Sequence, residues 1–563
     1  MTATPDVTVV VAVYNTMPYL TECLNSLVAQ TIGEDRLQVV AVDDGSTDDS
    51  GRELDRFAEK YPDVFTVVHQ PNSGGPAAPS NRALELATGR FVYFIGSDDH
   101  LGEEALERMV ACADANEADV VVGKMVGTNG RYVHQKLYSG NQPDVSLYDS
   151  ALPFTLANTK LFRRELVEKH KLRFPEDLPV GSDQPFTIEA CVRARRISVL
   201  ADYTYYYAVK RGDASNITYR ADHLARLRCT ARIMDHTAGL IPAGPHRDAV
   251  LKRHFEWELS KLMLDDFPAL PLETRQEICA GLAALQDTYF TDALRDATGV
   301  KRRVRLGLAQ RGAVAELTRA IADEAEHGAP PFLLEGDRAF APYPGFRDAA
   351  IGLDDHWYEV RETVSGRLAD GTKLESAAWE QDGEDLTLAL KVRVGITGDT
   401  SSAVVALAQG ALPKSADKPG ARKLPKDAER PEAVGELTRE PADDGTGTLL
   451  SARIPVDRIR AKRGVRVYVD VAGTTYEIPV RTDGLPMPLA RRWGSTTPFR
   501  VSASPNAKGR LVITTALLWE PKPDLGTRLR RTPAGLKRKL SGAKRKLSGA
   551  KRKLSRLKRK VSR

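Results

Sequence analysis

The sequence predicts an α/β fold, a Rossmann-like domain built on a parallel sheet at the front of a 563-residue chain. Three runs predict it. Val7–Val13 is unbroken and mostly β-branched. Leu37–Val42 is similar and ends in Asp43-Asp44-Gly45-Ser46-Thr47-Asp48. Arg90–Ile95 ends in Gly96-Ser97-Asp98-Asp99. Runs that are apolar on both faces suit parallel strands covered by helices. Ligands of open α/β sheets sit outside the carboxyl ends of the strands, so two acidic clusters at that edge point to a nucleotide and a metal.

The intervening helices have readable starts. Pro18 precedes the spacing Leu20, Cys23, Leu24, Leu27, and Asp48 or Ser50 can cap a helix running to about Lys60. Pro76 opens a helix containing Asn81 and Arg82, and Gly102-Glu103-Glu104 opens another that ends near Asn116. Asp119–Gly123 reads as a strand, Phe186–Arg195 as a helix and Tyr203–Val209 as an aromatic-rich strand. From residue 221 apolar residues recur at helical spacing, as in Phe255/Leu259/Leu262 and Ile278/Leu282/Leu285. After Pro330 the pattern turns to short alternating runs, Leu386–Val394 and Val465–Val471 among them, with turn signals at Asp370-Gly371 and Asp483-Gly484. That texture predicts a β-sandwich or barrel. Lys414–Glu436 is polar and proline-rich and reads as a loop. The expected domains are 1–220, 221–330 (a helical linker region), 331–523 (β-sandwich) and 524–563 (a basic amphipathic tail).

Composition excludes several classes. No apolar run approaches the ~18 residues of a membrane span, and Met1–Asp6 lacks the basic start and apolar core of a signal peptide. Five scattered cysteines without a C-x-x-C pair read as reduced thiols of a cytoplasmic protein. The formal charge of +6 hides an asymmetry: residues 525–563 hold 17 Lys or Arg and no acid, which leaves −11 on the rest. The tail repeats Lys-Arg-Lys-Leu-Ser-Gly-Ala from Lys537 and Lys544, giving an apolar stripe flanked by cations.

Four motifs then stand in order: Val9–Asn15, Asp43–Asp48, Asn72–Asn81 and Gly89–Asp99. Together they resemble the family-2 glycosyltransferases of the type-A fold, over roughly residues 7–220. No G-x-G-x-x-G follows the first strand, which argues against a dinucleotide dehydrogenase. The resemblance implies a nucleotide-sugar donor, with Val13, Asn15, Asp43 and Asp44 at the nucleotide. Asp98 and Asp99 would be ligands of Mn²⁺ or Mg²⁺, hard cations that suit oxygen donors and neutralise a leaving diphosphate. The family's usual Asp-x-Asp-Asp is Gly96-Ser97-Asp98-Asp99 here, so the first carboxylate is missing. Asp98 and Asp99 can also cap the following helix. Asn81 lies in the segment that meets the donor in relatives. Arg82 is either a diphosphate partner or a residue of a solvated helix face. Pro179–Phe186 resembles the family's Glu-Asp segment with Ser182 in the Glu position. That implies Asp183 as the general base of an inverting transfer, with an N-cap as its plainer role. Arg211 and Ser215 would stand near the diphosphate.

The architecture also resembles the wall-teichoic-acid poly(ribitol-phosphate) N-acetylglucosaminyltransferases, which implies UDP-N-acetylglucosamine as donor, an anionic glycopolymer as acceptor and trimerisation through the C-terminal region. The basic tail would hold such a polymer, or an anionic membrane surface from the cytoplasmic side, or pair with itself as a coiled coil. The tail has no aromatics for stacking, which argues against nucleic acid. The rival expectations are a capsular or exopolysaccharide transferase acting on a lipid-linked acceptor, and a non-catalytic glycopolymer-binding protein.

Overall fold

The structure, a computed structural model, describes residues 4–212, 222–408, 421–425, 428, 431–459, 462–493 and 498–518. Ser215, the basic tail and part of the Lys414–Glu436 segment lie outside these residues. The chain divides into two compact units. One contains residues up to Leu333 together with Arg338–Thr363, and the other contains Leu334–Asp337 and the chain from Val364 on.

In the first unit a seven-stranded sheet forms the core. Its strands are β1 (Val7–Val13), β2 (Leu37–Asp43), β3 (Phe65–His69), β4 (Phe91–Gly96), β6 (Val120–Gly123), β8 (Leu161–Arg163) and β9 (Ile197–Leu200), in the order β3-β2-β1-β4-β8-β6-β9. β1, β2, β3 and β4 are parallel, and β8 runs antiparallel to both neighbours. Every residue of β1 except Ala12 is buried, which is why the run alternates nothing and reads as apolar throughout. Helices α1 (Tyr19–Val28), α2 (Ser50–Lys60), α3 (Ala77–Glu85) and α4 (Ala105–Ala115) connect these strands. A second small sheet joins β5 (His100–Leu101), β10 (Tyr206–Val209) and β7 (Met125–Thr128). Between the sheets' strands lie α5 (Arg164–Lys169) and α6 (Asp183–Arg193).

Two boundaries differ from expectation, both beside the site. The aromatic strand begins at Tyr206 rather than Tyr203. α6 begins at Asp183 rather than Phe186, so Asp183 lies in its first turn with Ser182 as N-cap. Asp183 therefore puts an acidic group at the positive end of the helix.

The helical region belongs to the same compact unit as the parallel sheet. It contains α7 (His223–Leu240), α8 (Pro245–Arg253), a π-helical turn at His254–Glu258, α9 (Leu272–Tyr289), α10 (Asp292–Ala297), α11 (Val300–Gln310) and α12 (Val314–His327). Phe255, Leu259 and Leu262, the predicted stripe, are fully buried.

In the second unit β13 (Lys373–Asp382), β14 (Asp385–Val394), β19 (Thr448–Pro455) and β18 (Glu436–Pro441) form one antiparallel sheet in that order. Another sheet runs β17 (Arg422–Lys423), β21 (Thr474–Pro479), β20 (Arg463–Val471), β24 (Leu511–Leu517), β23 (Phe499–Pro505), β22 (Arg491–Trp493), with β16 (Val404–Ala408) against β20. Asp370-Gly371 closes a short helix, Ser365–Asp370, rather than a hairpin. Asp483-Gly484 makes a turn with both residues at positive φ (41° and 81°).

Candidate active site

The carboxyl ends of β1, β2 and β4 carry the groups the sequence singled out. Asn15 follows β1 in a left-handed conformation (φ 47°), which asparagine tolerates better than most residues. Its Oδ1 accepts from the Thr47 N–H (2.7 Å) and the Asp48 N–H (3.2 Å), and its own N–H donates to Ser46 Oγ (3.1 Å). Asn15 thus holds the Asp43–Asp48 loop against β1. Val13 is buried in the core cluster beneath.

Asp43 and Asp44 are both buried and both committed to protein partners. Asp43 accepts from the Ser46 N–H (3.0 Å) and pairs with His69 Nδ1 (3.0 Å). Burial opposes its ionisation, but hydrogen bonds from Ser46 and His69 outweigh burial and hold its carboxyl below the usual range. Asp44 accepts from Gln70 Nε2 (2.6 Å) and from the Ser73 hydroxyl (2.9 Å) and N–H (3.1 Å). It ties the Asn72–Gly75 loop to the end of β2. Gly45 (φ 73°) is required there, because a Cβ would come within 2.7 Å of the Asn72 nitrogen. Asn81, on α3, exchanges hydrogen bonds with the Phe174 backbone (2.8 Å each) and donates to Glu176 Oε1 (2.9 Å). Arg82 lies on the exposed face of the same helix, paired with Glu85 (2.6 Å).

At the end of β4, Asp98 and Asp99 have different surroundings. Asp99 accepts from the Tyr206 hydroxyl (2.5 Å) on Oδ2 and from the Val209 N–H (2.7 Å) on Oδ1, with Arg131 at 3.5 Å. Burial, then the neighbouring Asp98 charge, pushes its carboxyl up to about 6. Asp98 pairs with Arg211 Nε (2.7 Å), so Arg211 is brought to the acidic cluster itself. Thr16 and Ser97 hydroxyls meet at 2.9 Å and join the β1 and β4 ends. A Cβ on Gly96 would lie 2.9 Å from Asp99 Oδ2 and 3.2 Å from Asp98 Oδ1. Among the described residues no three His, Cys, Asp or Glu side chains are grouped as a ligand set for a metal. Asp99 has both oxygens in protein hydrogen bonds, so the pair is not a two-carboxylate centre, and a hard cation would rest on the Asp98 carboxylate with oxygens of the donor.

Asp183 stands in the first turn of α6, a helix that packs on β4 through aromatic side chains. Phe186, one turn along α6, stacks on Phe174 (centroids 4.4 Å) and meets Phe94 of β4 edge-on (5.3 Å). The start of α6 is thereby packed against β4. Burial raises the Asp183 carboxyl despite two cations acting on it, Arg253 and Lys160. Lys160 is 1% exposed, donates to the carbonyls of Thr155 (2.5 Å) and Ala157, and is brought down to about 8 by burial. Arg253, the last residue of α8, donates to Gln184 Oε1 (2.9 Å), next to Asp183, and pairs with Glu258 (2.9 Å). Burial opposes charge on Glu258, yet Arg253 and Lys261 hold it at about 2. The helical region thus supplies the support behind Asp183. Sequence reasoning missed Lys160, Arg253, Glu258 and Tyr206. Helical periodicity marks only the apolar face, and Tyr206 alone lay in a segment already noted as aromatic.

Residues 8–172 match the model of glycosyl transferase family 2, and residues 223–321 match the glycosyl transferase TarS linker domain. The chain carries a family 2 glycosyltransferase domain. Behind that glycosyltransferase domain the helices form a linker of the TarS type. Over 214 residues the chain is 41% identical to a poly(ribitol-phosphate) beta-glucosyltransferase of Bacillus spizizenii, covering 38% of this chain and 34% of that one. Over 272 residues it is 38% identical to the poly(ribitol-phosphate) beta-N-acetylglucosaminyltransferase TarS of Staphylococcus aureus, covering 46% and 47%. The match thus spans less than half the length of either curated relative. Among solved structures, S. aureus TarS 1-349 in complex with UDP-GlcNAc superposes with a TM-score of 0.53 at 29% identity, over 63% of this chain and 99% of that one.

Proposed function

We propose that the protein transfers a sugar, N-acetylglucosamine in our reading, from a UDP-sugar to a hydroxyl of a poly(ribitol-phosphate)-type cell-wall polymer, with inversion at the anomeric carbon. The observation that carries this is the setting of Asp183: a carboxylate on the first turn of α6, a helix packed through Phe186 on β4, the strand that leads into Asp98. As the acceptor oxygen attacks the anomeric carbon, Asp183 takes the hydroxyl proton. The bond to UDP breaks on the opposite side, which gives a single displacement. A carboxyl raised by burial is a better base than an ordinary one, provided it is ionised at the working pH. Asn15 and Asp44 hold the two loops that would enclose the uridine. Arg211 would exchange its Asp98 contact for the donor diphosphate. A Mn²⁺ or Mg²⁺ ion would be held by Asp98 together with the diphosphate, and would offset charge on the leaving group. The glucosyl- and N-acetylglucosaminyltransferase relatives both name poly(ribitol-phosphate), which supports the acceptor more firmly than the sugar.

Among the described residues no helix is long and apolar enough to cross a membrane. We place the protein at the cytoplasmic face of the membrane, its tail held by anionic lipid or by the acceptor. The decisive measurement is UDP release with UDP-N-acetylglucosamine or UDP-glucose plus poly(ribitol phosphate). Asp183→Asn should lower turnover about 10²- to 10⁴-fold while donor affinity is kept. Turnover retained in the variant would exclude Asp183 as base. Wild-type protein inactive with both donors would favour a glycopolymer-binding role.

A further inference from the structure

Among the described residues of the second unit, two buried arginines stand beside a single buried carboxylate. On β20, Gly464, Arg466 and Tyr468 share one face by strand alternation, and a Cβ at Gly464 would lie within 3.0 Å of the Arg466 guanidinium. Gly464 pairs with Val512 of β24, two residues beyond Arg510, so Arg510 belongs to that face as well. Glu477 of β21 pairs with Tyr468 and with Arg422 of β17. Arg466, Glu477 and Arg510 are 5%, 4% and 8% exposed.

The single carboxylate is already spent. Arg422 donates to Glu477 Oε2 through Nε (2.8 Å) and Nη2 (2.7 Å), and the Tyr468 hydroxyl donates to Oε1 (3.0 Å). Arg466 Nε stays 3.7 Å from Oε1, beyond hydrogen-bond distance, and is buried without a partner. Its Nη1 reaches only the Val465 carbonyl (3.2 Å). Arg510 donates its backbone N–H to Asn506 Oδ1 (3.1 Å), and its side-chain charge disfavours the charged form of Arg466. Burying cations without a counter-charge is costly. Arg422 is half-exposed and meets solvent, so the buried part of the cluster holds two cations, Arg466 and Arg510, against the one carboxylate of Glu477, which Arg422 and Tyr468 already occupy.

We propose that Arg466 and Arg510, flanked by Arg422, form a binding site for a phosphate-type oxyanion, either a free phosphate or a phosphodiester of a polyol-phosphate chain. Planar guanidinium groups with several N–H donors match tetrahedral oxyanions by paired hydrogen bonds. The buried Nε–H of Arg466, which has no hydrogen-bond partner, and the Arg510 guanidinium are the donors such a ligand would meet. Binding here requires no transfer chemistry, so its test is independent of UDP release.

The test uses the full chain and calorimetric titration with inorganic phosphate, and separately with a short polyol-phosphate oligomer, against chloride at equal ionic strength. We expect saturable phosphate binding that raises the melting temperature. Arg510→Gln should weaken it at least tenfold, and without phosphate should melt no lower than wild type, because it removes an unpaired buried charge. Binding of both probes assigns the site to the polymer, and of phosphate alone to the free ion. Absence of saturable binding of either probe to wild type, or unchanged affinity in Arg510→Gln, overturns the proposal. If Arg510→Gln does not fold, Arg422→Gln serves instead: it frees Glu477 to neutralise Arg466 and should also weaken binding. Unchanged affinity there overturns the proposal equally.

Discussion

Replacing Arg253 by Met tests whether the linker helices support the catalytic edge. Arg253 pairs with Glu258 and donates to Gln184, each at 2.9 Å. The Glu258 carboxyl is held at about 2 rather than 4.5. At about 1.4 kcal/mol per pH unit, this corresponds to about 3 kcal/mol of folding free energy. Lys261 remains at 2.9 Å, so the variant should lose about half of that, and the lost Gln184 bond adds about 1 kcal/mol. The expected destabilisation by urea unfolding at pH 7 is about 2–3 kcal/mol, near the range for breaking one side of a buried pair. The sign with pH follows from the depressed carboxyl. Glu258 stabilises fully above about 4.5, and its contribution is lost as pH falls toward about 2, so the difference between wild type and variant narrows across that window. Arg253 also counters the burial that raises Asp183. Without it Asp183 titrates higher, and the acid limb of UDP release should move to higher pH. A difference under about 0.5 kcal/mol, the scatter of surface substitutions, or an unmoved acid limb, would refute the coupling.

Two further outcomes follow from the same geometry. Asn15→Ala removes the contacts to Thr47 and Asp48 and should raise KM for the UDP-sugar about tenfold, equivalent to roughly 1.4 kcal/mol; unchanged KM would show that the loop holds itself. Chelation with EDTA should cut UDP release about tenfold or more, with Mn²⁺ or Mg²⁺ restoring wild type but not Asp98→Asn; release indifferent to EDTA would remove the metal from the scheme.

Much of the fold was legible because burial on both faces leaves a plain mark on sequence. β1, β2 and β4 fall within a residue or so of the predicted runs. The antiparallel runs Leu386–Val394 and Val465–Val471 are also strands, each slightly longer at its start. The site was legible as a set of motifs but not as a set of roles. Asp43 and Asp44 look alike in sequence. Only the loops that pass above them show that one holds Ser46 and His69 and the other Gln70 and Ser73. Arg82 looked ambiguous because a helix face and a phosphate call for the same cation, and the Glu85 contact appears only in three dimensions. Arg253 precedes a π-helical turn and Glu258 ends it, and the wider turn shifts side chains off the 3.6-residue pattern. Charged partners drawn from such a turn have no signature in apolar spacing.

Gly96 makes the missing acidic residue a linked change rather than an isolated one. A side chain there would collide with Asp99 Oδ2, which Tyr206 holds, while Val209 holds Oδ1, both from a strand more than a hundred residues away. Reinstating an aspartate at 96 therefore demands that Asp99 swing off its tyrosine, and the two positions have to vary together. Homologues that regain the first carboxylate should differ at 206 as well, a pairing that can be looked for in any natural set of these chains.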